Sequence, residues 1–361
     1  TKLFLPLRPD PTMTQQQEDS GRFAWADVCR LIAMLGVVII HVAGPIFYNY
    51  KNISEHDFLV ATALDSLVRV SVPFFAMLSG ALLLGRDMSK GLGGVVGRVM
   101  KVAIPLAFWS VLYMFWMNYW EGKPLSVVSA LQNALRGPVI YHLWFVYMII
   151  GVYILLPILQ VLSVAMLANK RWAAYFFGVW FCVNSITIYF PLDIVPHLNL
   201  LDFLRWPGYF LLGFYLLRSD ILDRVSVAVS LIVFFLASLA TFLITWKMSV
   251  WSGNAVETAF EYCSPNVVIA AVAAFHAISK LRLHRVLIRP AAFLSNIVFL
   301  VYLMHLLVIE LIKGGMFGFH LNLVEMSSFW AIISLSLTTF IISIGLACLI
   351  RIIPRSSRLF G

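Results

Sequence analysis

The amino-acid sequence predicts an all-α polytopic membrane protein with about ten transmembrane helices and with both termini on the cytoplasmic side. Composition, apolar runs and the distribution of lysine and arginine each support this. Of the 361 residues, 61% are hydrophobic and 12% are charged, and the mean hydropathy is +0.90. Soluble globular domains are only about 45–50% apolar and about 25% charged. A soluble enzyme of this length is therefore excluded.

Apolar stretches long enough to cross a bilayer follow one another along the chain. A spanning helix needs about 20 mostly apolar residues. Such stretches lie at residues 28–47, 58–84, 97–118, 142–163, 172–190, 203–218, 226–246, 265–280, 291–312 and 328–350. Together they occupy most of the chain, so a single membrane domain carries whatever activity the protein has.

The orientation follows from the positive charges, because short cytoplasmic loops are enriched in lysine and arginine. Alternate connections and the adjoining ends of the stretches hold most of these residues, including Arg98 and Lys101 at the start of the third stretch and Arg351 after the last. The other connections mix fewer basic residues with acidic ones, and we place them outside. The net charge of +9 then reflects topology and an affinity for anionic membrane lipids, and it does not indicate nucleic-acid binding.

The chain divides into three parts. Residues 1–24 are polar and rich in proline and glutamine, which predicts a segment that is disordered or added to the natural chain. Residues 25–353 form the membrane domain, and residues 354–361 form a basic cytoplasmic tail. The four cysteines are scattered, which predicts neither a disulfide framework nor a metal site. They lie at positions 29, 182, 263 and 348.

Two ionisable residues interrupt the first apolar stretch, RFAWADVCRLIAMLGVVIIHVAG. Arg30 and His41 are eleven residues apart, which on a helix is about three turns and about 16 Å, so both project from one face. Arg30 near the inner headgroups has an alternative role, in which it extends to lipid phosphates. An imidazole deep in the membrane is more suggestive, since histidine is the commonest general base.

The second stretch contains Asp65 and Arg69 at a four-residue spacing, which allows the acid and the base to pair on one helical face. Asp65 falls at about the depth of His41, so a contact between them is geometrically possible. Pro73, in the same stretch, is expected to kink the helix.

Further polar and aromatic residues gather in the outer half of other stretches. Ionisable residues inside a membrane are costly and usually face a bundle interior or a wet cavity. Each of them also has a structural interpretation, since intramembrane polar pairs tie helices together. They are His142, Trp144, Arg205, Tyr302, His305 and Glu310. The aromatic residues near 109–120 and 141–147 are most simply interfacial belts.

These residues, together with several longer segments, resemble the acyltransferase type 3 integral membrane family. Arg30 and His41, preceded by Trp25 and Asp27, are similar to the signature of its first helix. The further matching segments are RVSVPFFAMLSG at 69–80, RVMKVAIP at 98–105, YHLWFVYMIIGVYILLPIL at 141–159, YFLLGFYL at 209–216 and FLSNIVFLVYLMH at 293–305. The likeness covers about residues 23 to 310. Where the family pattern has a second arginine, this chain has Lys101, which offers a point charge in place of a bidentate fork.

The resemblance implies an O-acetyltransferase of the bacterial inner membrane. The acyl donor is then cytosolic acetyl-CoA, with no metal required, and the acceptor is a hydroxyl of an extracytoplasmic glycan or glycolipid. Arg30, Arg98, Lys101 and Ser79 are the expected donor contacts.

His41 is the expected general base. Asp65 is expected to orient its ring, and Arg69 to stabilise the oxyanion. The expected acceptor contacts are His142, Trp144, Arg205, Tyr302, His305 and Glu310.

Another class of protein fits the same polar interior. A glycan transporter or flippase, which performs no acyl transfer, also needs ionisable residues between its helices and aromatic residues at its rims. Movement of the glycan in the absence of an acyl donor distinguishes the transporter from the enzyme.

Overall fold

A computed structural model of the chain describes residues 23–86, 91–122, 137–190, 200–316, 328–354 and 356–361. Throughout these ranges the regular secondary structure is helical. The α-helices are α1 (Ala24–Tyr48), α2 (Glu55–Val68), α3 (Ser71–Leu83), α4 (Gly91–Glu121), α5 (Trp144–Ile154), α6 (Leu156–Ala168), α7 (Lys170–Tyr189), α8 (Leu200–Arg218), α9 (Val227–Ser252), α10 (Pro265–Ser279), α11 (Arg285–Ser295), α12 (Val298–Lys313), α13 (Ser328–Ile352) and α14 (Ser356–Leu359). Short 3₁₀ turns occupy Tyr50–Asn52, Tyr141–Leu143 and Thr258–Phe260.

The predicted class, an all-α polytopic membrane protein, is confirmed. Within the described residues, seven helical segments are long and apolar enough to cross a membrane, and the count rises to nine if two bent helix pairs are each one span. The predicted number was about ten. The additional predicted span, 203–218, falls in α8, which is helical but carries Asp202 and Arg205 near its start. The predicted N-terminal segment, residues 1–24, lies almost entirely outside the described residues.

Two of the predicted spans are broken. The fourth consists of Tyr141–Ile154 and α6, which meet at 68°, and the ninth consists of α11 and α12, which meet at 62°. Pro157 lies in the first turn of α6, where its missing N–H group costs no hydrogen bond. A continuous apolar run therefore does not by itself imply a straight helix.

Helix α1 packs against α2, α3, α10, α11, α12 and α13, and so lies at the centre of the bundle. Its buried positions include small residues such as Cys29, Ala33 and Gly36. A Cβ atom on Gly36 would collide with the Ser71 side chain, so this glycine allows the start of α3 to approach closely. Central placement explains why polar residues of α1 meet side chains from several other helices.

Helices α3 and α8 approach each other closely along their backbones. A Cβ atom on Gly80 would overlap the backbone carbonyl of Phe210, and one on Gly213 would overlap that of Met77. Small residues at helix crossings allow such approach in membrane proteins, where van der Waals packing drives association. Each helix thus supplies one glycine to the crossing.

Pro73 affects the chain as predicted. Helix α2 ends at Val68 and α3 begins at Ser71, so the break falls at Arg69 and Val70, just before the proline. Proline removes a backbone donor and crowds the residue four positions earlier, which here is Arg69. The break therefore coincides with the residue that the sequence singled out as a candidate oxyanion stabiliser.

Candidate active site

A cavity of about 320 Å³ lies among helices α1, α3, α4, α5, α11 and α12. Its polar lining consists of two basic side chains, two serines and two tyrosines, and the remaining wall is apolar. The lining residues are Arg30, Phe75, Ser79, Lys101, Val102, Phe145, Val146, Ile149, Tyr153, Ser295, Val298, Phe299 and Tyr302. Three of the four predicted donor contacts, Arg30, Ser79 and Lys101, therefore meet in one cavity.

Arg30 is held at the cavity wall by two neighbours. Its Nη1 atom donates to Asp27 Oδ1 at 3.0 Å and to Ser295 Oγ at 3.1 Å. Ser295 ends α11, so the break between α11 and α12 places the serine beside the arginine. The Lys101 side chain is exposed, which marks the open end of the cavity. This basic end suits a phosphate group, since arginine and lysine side chains form charge-assisted hydrogen bonds with phosphate oxygens.

Arg98, the fourth predicted donor contact, is not among the residues that line the cavity. It precedes Lys101 by three residues on α4, and its Nη1 atom donates to the carbonyl oxygen of Gly94 at 3.1 Å. It lies about one turn from the lysine and adds positive charge to the same end of the helix.

Three imidazoles form a cluster beyond the other end of the cavity. The ring centroid of His41 lies 5.1 Å from that of His305 and 6.3 Å from that of His142, and the last two are 5.2 Å apart. His142 and His305 are fully buried, whereas His41 is partly exposed. The structure thus brings together three predicted site residues that are more than 100 positions apart in sequence. His41 points into the bundle.

Tyr302 connects the cavity with this histidine cluster. Its ring lines the cavity and lies 5.6 Å from the ring of His142 and 5.7 Å from that of His305. Its hydroxyl donates to the backbone carbonyl of His142. His41 is not among the residues that line this cavity, and Tyr302 is the lining residue that contacts the histidine cluster.

Asp65 and Arg69 form the predicted pair. Arg69 Nη1 lies 3.1 Å from Asp65 Oδ1, and Arg69 Nε donates to the carbonyl oxygen of Phe260 at 2.7 Å. The guanidinium also lies over the rings of Phe260 and Tyr262, at 4.5 and 5.0 Å from their centroids. The expected contact between Asp65 and His41 is replaced by this pair, because the charge of a buried arginine draws the carboxylate to itself.

The other predicted acceptor contacts fall in two places. The Trp144 ring stacks on Tyr262 with centroids 5.8 Å apart and lies 5.3 Å from Trp206, while Arg205 Nη1 is 3.8 Å from Glu261 Oε2. Glu310 lies near the end of α12, exposed, with Oε1 3.4 Å from Lys313 Nζ.

Sequence reasoning missed several residues of the site. Ser295 and Tyr153 line the cavity, and Tyr141 contacts His41 with ring centroids 5.3 Å apart. Ser295 and Tyr141 lie within the matching segments FLSNIVFLVYLMH and YHLWF, so the signal was present. A polar residue inside a matched segment was the clue that could have identified them.

Part of the predicted aromatic belt is buried. Trp109 and Tyr113 are 3% and 1% exposed, and their polar atoms donate to the carbonyl oxygens of Phe360 and Leu303 at 3.0 and 2.9 Å. The interfacial interpretation is wrong for these two residues, because backbone acceptors from other segments satisfy their polar groups inside the bundle. The C-terminal residues, which the sequence predicts as a basic cytoplasmic tail, pack here against α4.

The fold and the site together define an integral membrane protein with a basic cavity and a cluster of three imidazoles near it. Over residues 23–348 the chain matches the family described as Acyltransferase domain, and it belongs to that family. The protein is therefore a multi-pass membrane acyltransferase. No curated protein and no solved structure matches the chain. The part of the chain that the structure describes contains no group of three or more His, Cys, Asp or Glu side chains that could hold a metal ion.

Proposed function

We propose that this acyltransferase moves an acetyl group from cytosolic acetyl-CoA to a hydroxyl of an extracytoplasmic glycan or glycolipid. The observation that carries the proposal is the cavity of about 320 Å³, which has a basic end at Arg30 and Lys101 and approaches the histidine cluster at Tyr302. Such a cavity allows a cytosolic thioester to reach deep into the bundle while its charged head stays at the membrane surface.

The donor occupies this cavity in our proposal. The phosphates of CoA pair with Arg30 and Lys101, with Arg98 adding charge nearby, and Ser79 contacts the arm. The pantetheine arm extends along the apolar wall formed by Val102, Ile149 and their neighbours. Arg30 and His41 are separated by about 16 Å along α1, a distance that the arm covers without the head crossing the membrane.

The chemical step is acyl transfer to a weakly acidic alcohol, which needs a base. His41 takes the proton of the acceptor hydroxyl as its oxygen attacks the thioester carbonyl. The new carbon–oxygen bond forms, the carbon–sulfur bond breaks, and the CoA thiolate receives the proton. Arg69, fixed by Asp65 and Phe260, supports the negative charge that develops on the carbonyl oxygen.

In our proposal the Tyr302 side chain moves when the thioester passes from this cavity to His41. Its ring contacts Phe145, with centroids 5.6 Å apart, and its hydroxyl is bound to the His142 carbonyl. Rotation of this tyrosine opens the cavity toward the three imidazoles. The acceptor approaches from the opposite side, past Tyr141, Trp144 and Arg205, with Glu310 at the rim.

Two features of the sequence support the finer assignment. The segments YHLWF and EYCSPNVVIAAVAAF are similar to the stand-alone O-acetyltransferase of enterobacterial common antigen, a protein that acts on an envelope polysaccharide. The alternation of basic and mixed connections supports an orientation with Arg30 at the cytoplasmic face. Both point to a location in the bacterial inner membrane.

The experiment is acetyl transfer by the purified protein in lipid vesicles. Radiolabelled acetyl-CoA is added on the side of Lys101, and label in an envelope glycan acceptor is counted. We expect label with the wild type and loss of at least about 100-fold in rate with His41→Ala, since a general base contributes about 10²–10⁴-fold. His276→Asn is the matched control, because this buried histidine on α10 hydrogen-bonds Ser230 at 2.8 Å, outside the site.

Two results would contradict the proposal. If His41→Ala transfers acetyl groups at the full rate, His41 is not the general base. Translocation of unmodified glycan without any acyl donor, together with no labelled product, would instead favour the transporter.

A further inference from the structure

His305 has a fixed proton position. It is fully buried, and its Nδ1 atom lies 2.6 Å from the backbone carbonyl oxygen of Tyr302. A carbonyl oxygen only accepts hydrogen bonds, so Nδ1 carries the proton and donates it. In a neutral imidazole the other nitrogen, Nε2, is then unprotonated and acts as an acceptor.

The Nε2 atom of His305 is buried and has no hydrogen-bond partner in the described part of the chain. Leaving a buried acceptor unsatisfied costs about 1–3 kcal/mol. Buried polar groups in proteins almost always have a partner, so an unpaired one points to an interaction that forms when the site is at work.

His41 and His142 both lie within reach of this atom, since the ring centroid of His142 is 5.2 Å from that of His305. We take His41 as the donor, because it is partly exposed and lies equally close to His305. The two ring centroids are 5.1 Å apart and the planes are tilted by 35°. Two imidazole nitrogens that face each other across this separation are about 3 Å apart, which is hydrogen-bond distance. A rotation of the partly exposed His41 ring that turns one of its nitrogens toward His305 therefore allows its N–H to meet Nε2 of His305.

We propose that His305 is the positioning residue of the general base, an inference that rests on the proposed acyl transfer. Its Nε2 accepts the N–H of His41, which fixes the tautomer of His41 and leaves the other nitrogen unprotonated toward the acceptor hydroxyl. When His41 takes the hydroxyl proton and becomes an imidazolium, the same hydrogen bond stabilises the charge. His305 stays neutral, and the proton passes to the CoA thiolate.

This arrangement replaces the role that the sequence suggested for Asp65. A carboxylate orients the base in a serine-protease triad, but here the carboxylate is bound to Arg69 at 3.1 Å. His305 offers a neutral acceptor in its place. A neutral partner avoids a second full charge beside the base inside the membrane, where charges are costly.

Two substitutions separate the positioning role from packing. In His305→Gln the amide oxygen reaches the place of Nε2 and remains an acceptor, whereas in His305→Asn the shorter amide keeps a donor near Nδ1 and places nothing at Nε2. We expect kcat to fall about 100-fold in His305→Asn with the KM for acetyl-CoA unchanged. His305→Gln should retain kcat within about tenfold, and His276→Asn should match the wild type. These magnitudes follow from the contribution of a correctly oriented general base to the rate, which is about 10²–10⁴-fold.

The decisive measurement is a comparison of kcat and of the KM for acetyl-CoA between His305→Gln and His305→Asn. Equal kcat in His305→Asn and the wild type overturns the inference and leaves the acyl transfer intact. Equal losses in both variants also overturn it, since that pattern indicates packing. If the wild type itself transfers no acetyl group, the proposed function fails first.

A measurement without turnover tests the same inference. ¹⁵N nuclear magnetic resonance of histidine-labelled protein in detergent micelles reports which nitrogen of each imidazole carries the proton, with His305→Gln used for assignment. We expect His305 to carry its proton on Nδ1. A proton on Nε2 removes the acceptor and overturns the proposal, whatever the activity of the sample.

Discussion

Lys101 supplies a charge to the proposed donor site, and this charge can be removed with little effect on the fold. Its side chain is exposed and lines the open end of the cavity. The change Lys101→Met keeps the length of the side chain and deletes the ammonium group. Two unit charges 4 Å apart interact by about 1 kcal/mol in water and by about 4 kcal/mol at the effective dielectric constant of a protein surface. For an exposed lysine, the interaction energy lies near the value in water.

We therefore expect Lys101→Met to weaken acetyl-CoA binding by about 1–1.4 kcal/mol, which raises the KM for the donor about five- to tenfold. The kcat at saturating donor should be unchanged, because the lysine is remote from the histidine cluster. Lys101→Arg should bind at least as well as the wild type, since arginine offers a bidentate fork to phosphate. The assay is initial rate against acetyl-CoA concentration at two salt concentrations.

The matched control is Lys170→Met. That lysine is also exposed, but its ammonium lies 2.7 Å from Asp220 and outside the cavity. An unchanged donor KM in Lys101→Met, or an equal rise in Lys170→Met, would refute the assignment of the basic end as the phosphate site. A loss of salt dependence in Lys101→Met alone would strengthen it, because exposed charges are screened by salt.

Two stability predictions follow from the packing. Gly213→Ala should lower stability by about 1–3 kcal/mol, because its Cβ overlaps the Met77 backbone, whereas Gly178→Ala, with no atom in range, should be neutral or stabilising; thermal unfolding in detergent compares them. Asp65→Asn should cost about 3–5 kcal/mol, because it leaves the buried guanidinium of Arg69 without its counter-charge. Adding Arg69→Gln to Asp65→Asn should recover part of that loss, and a further loss would show that the pair is not coupled.

The glycine crossing also bears on the site. Helix α3 carries Ser79 and Phe75 into the cavity wall, and its contact with α8 fixes where that wall stands. A wider crossing moves Ser79 relative to Arg30. The Gly213→Ala variant is therefore expected to raise the donor KM as well as to lower stability.

The membrane class could be predicted from the sequence because hydropathy is a local property. A run of about 20 apolar residues reads as a span whatever surrounds it. The same holds for pairs on one helix. The spacing of Asp65 and Arg69 predicted their ion pair, and the spacing of Arg30 and His41 placed both on one side of α1, since helical geometry alone fixes such relations.

Contacts between helices were decided by the tertiary structure. Arg30 binds Ser295, which is 265 positions away, and His41 meets His142 and His305. The two predicted spans that supply Ser295, His142 and His305 are bent by 68° and 62°, which an apolar run does not reveal. The partner of Asp65 was decided in the same way. By depth alone, the Asp65 carboxylate could have contacted either His41 or Arg69. It pairs with Arg69, because a buried charge must be paired.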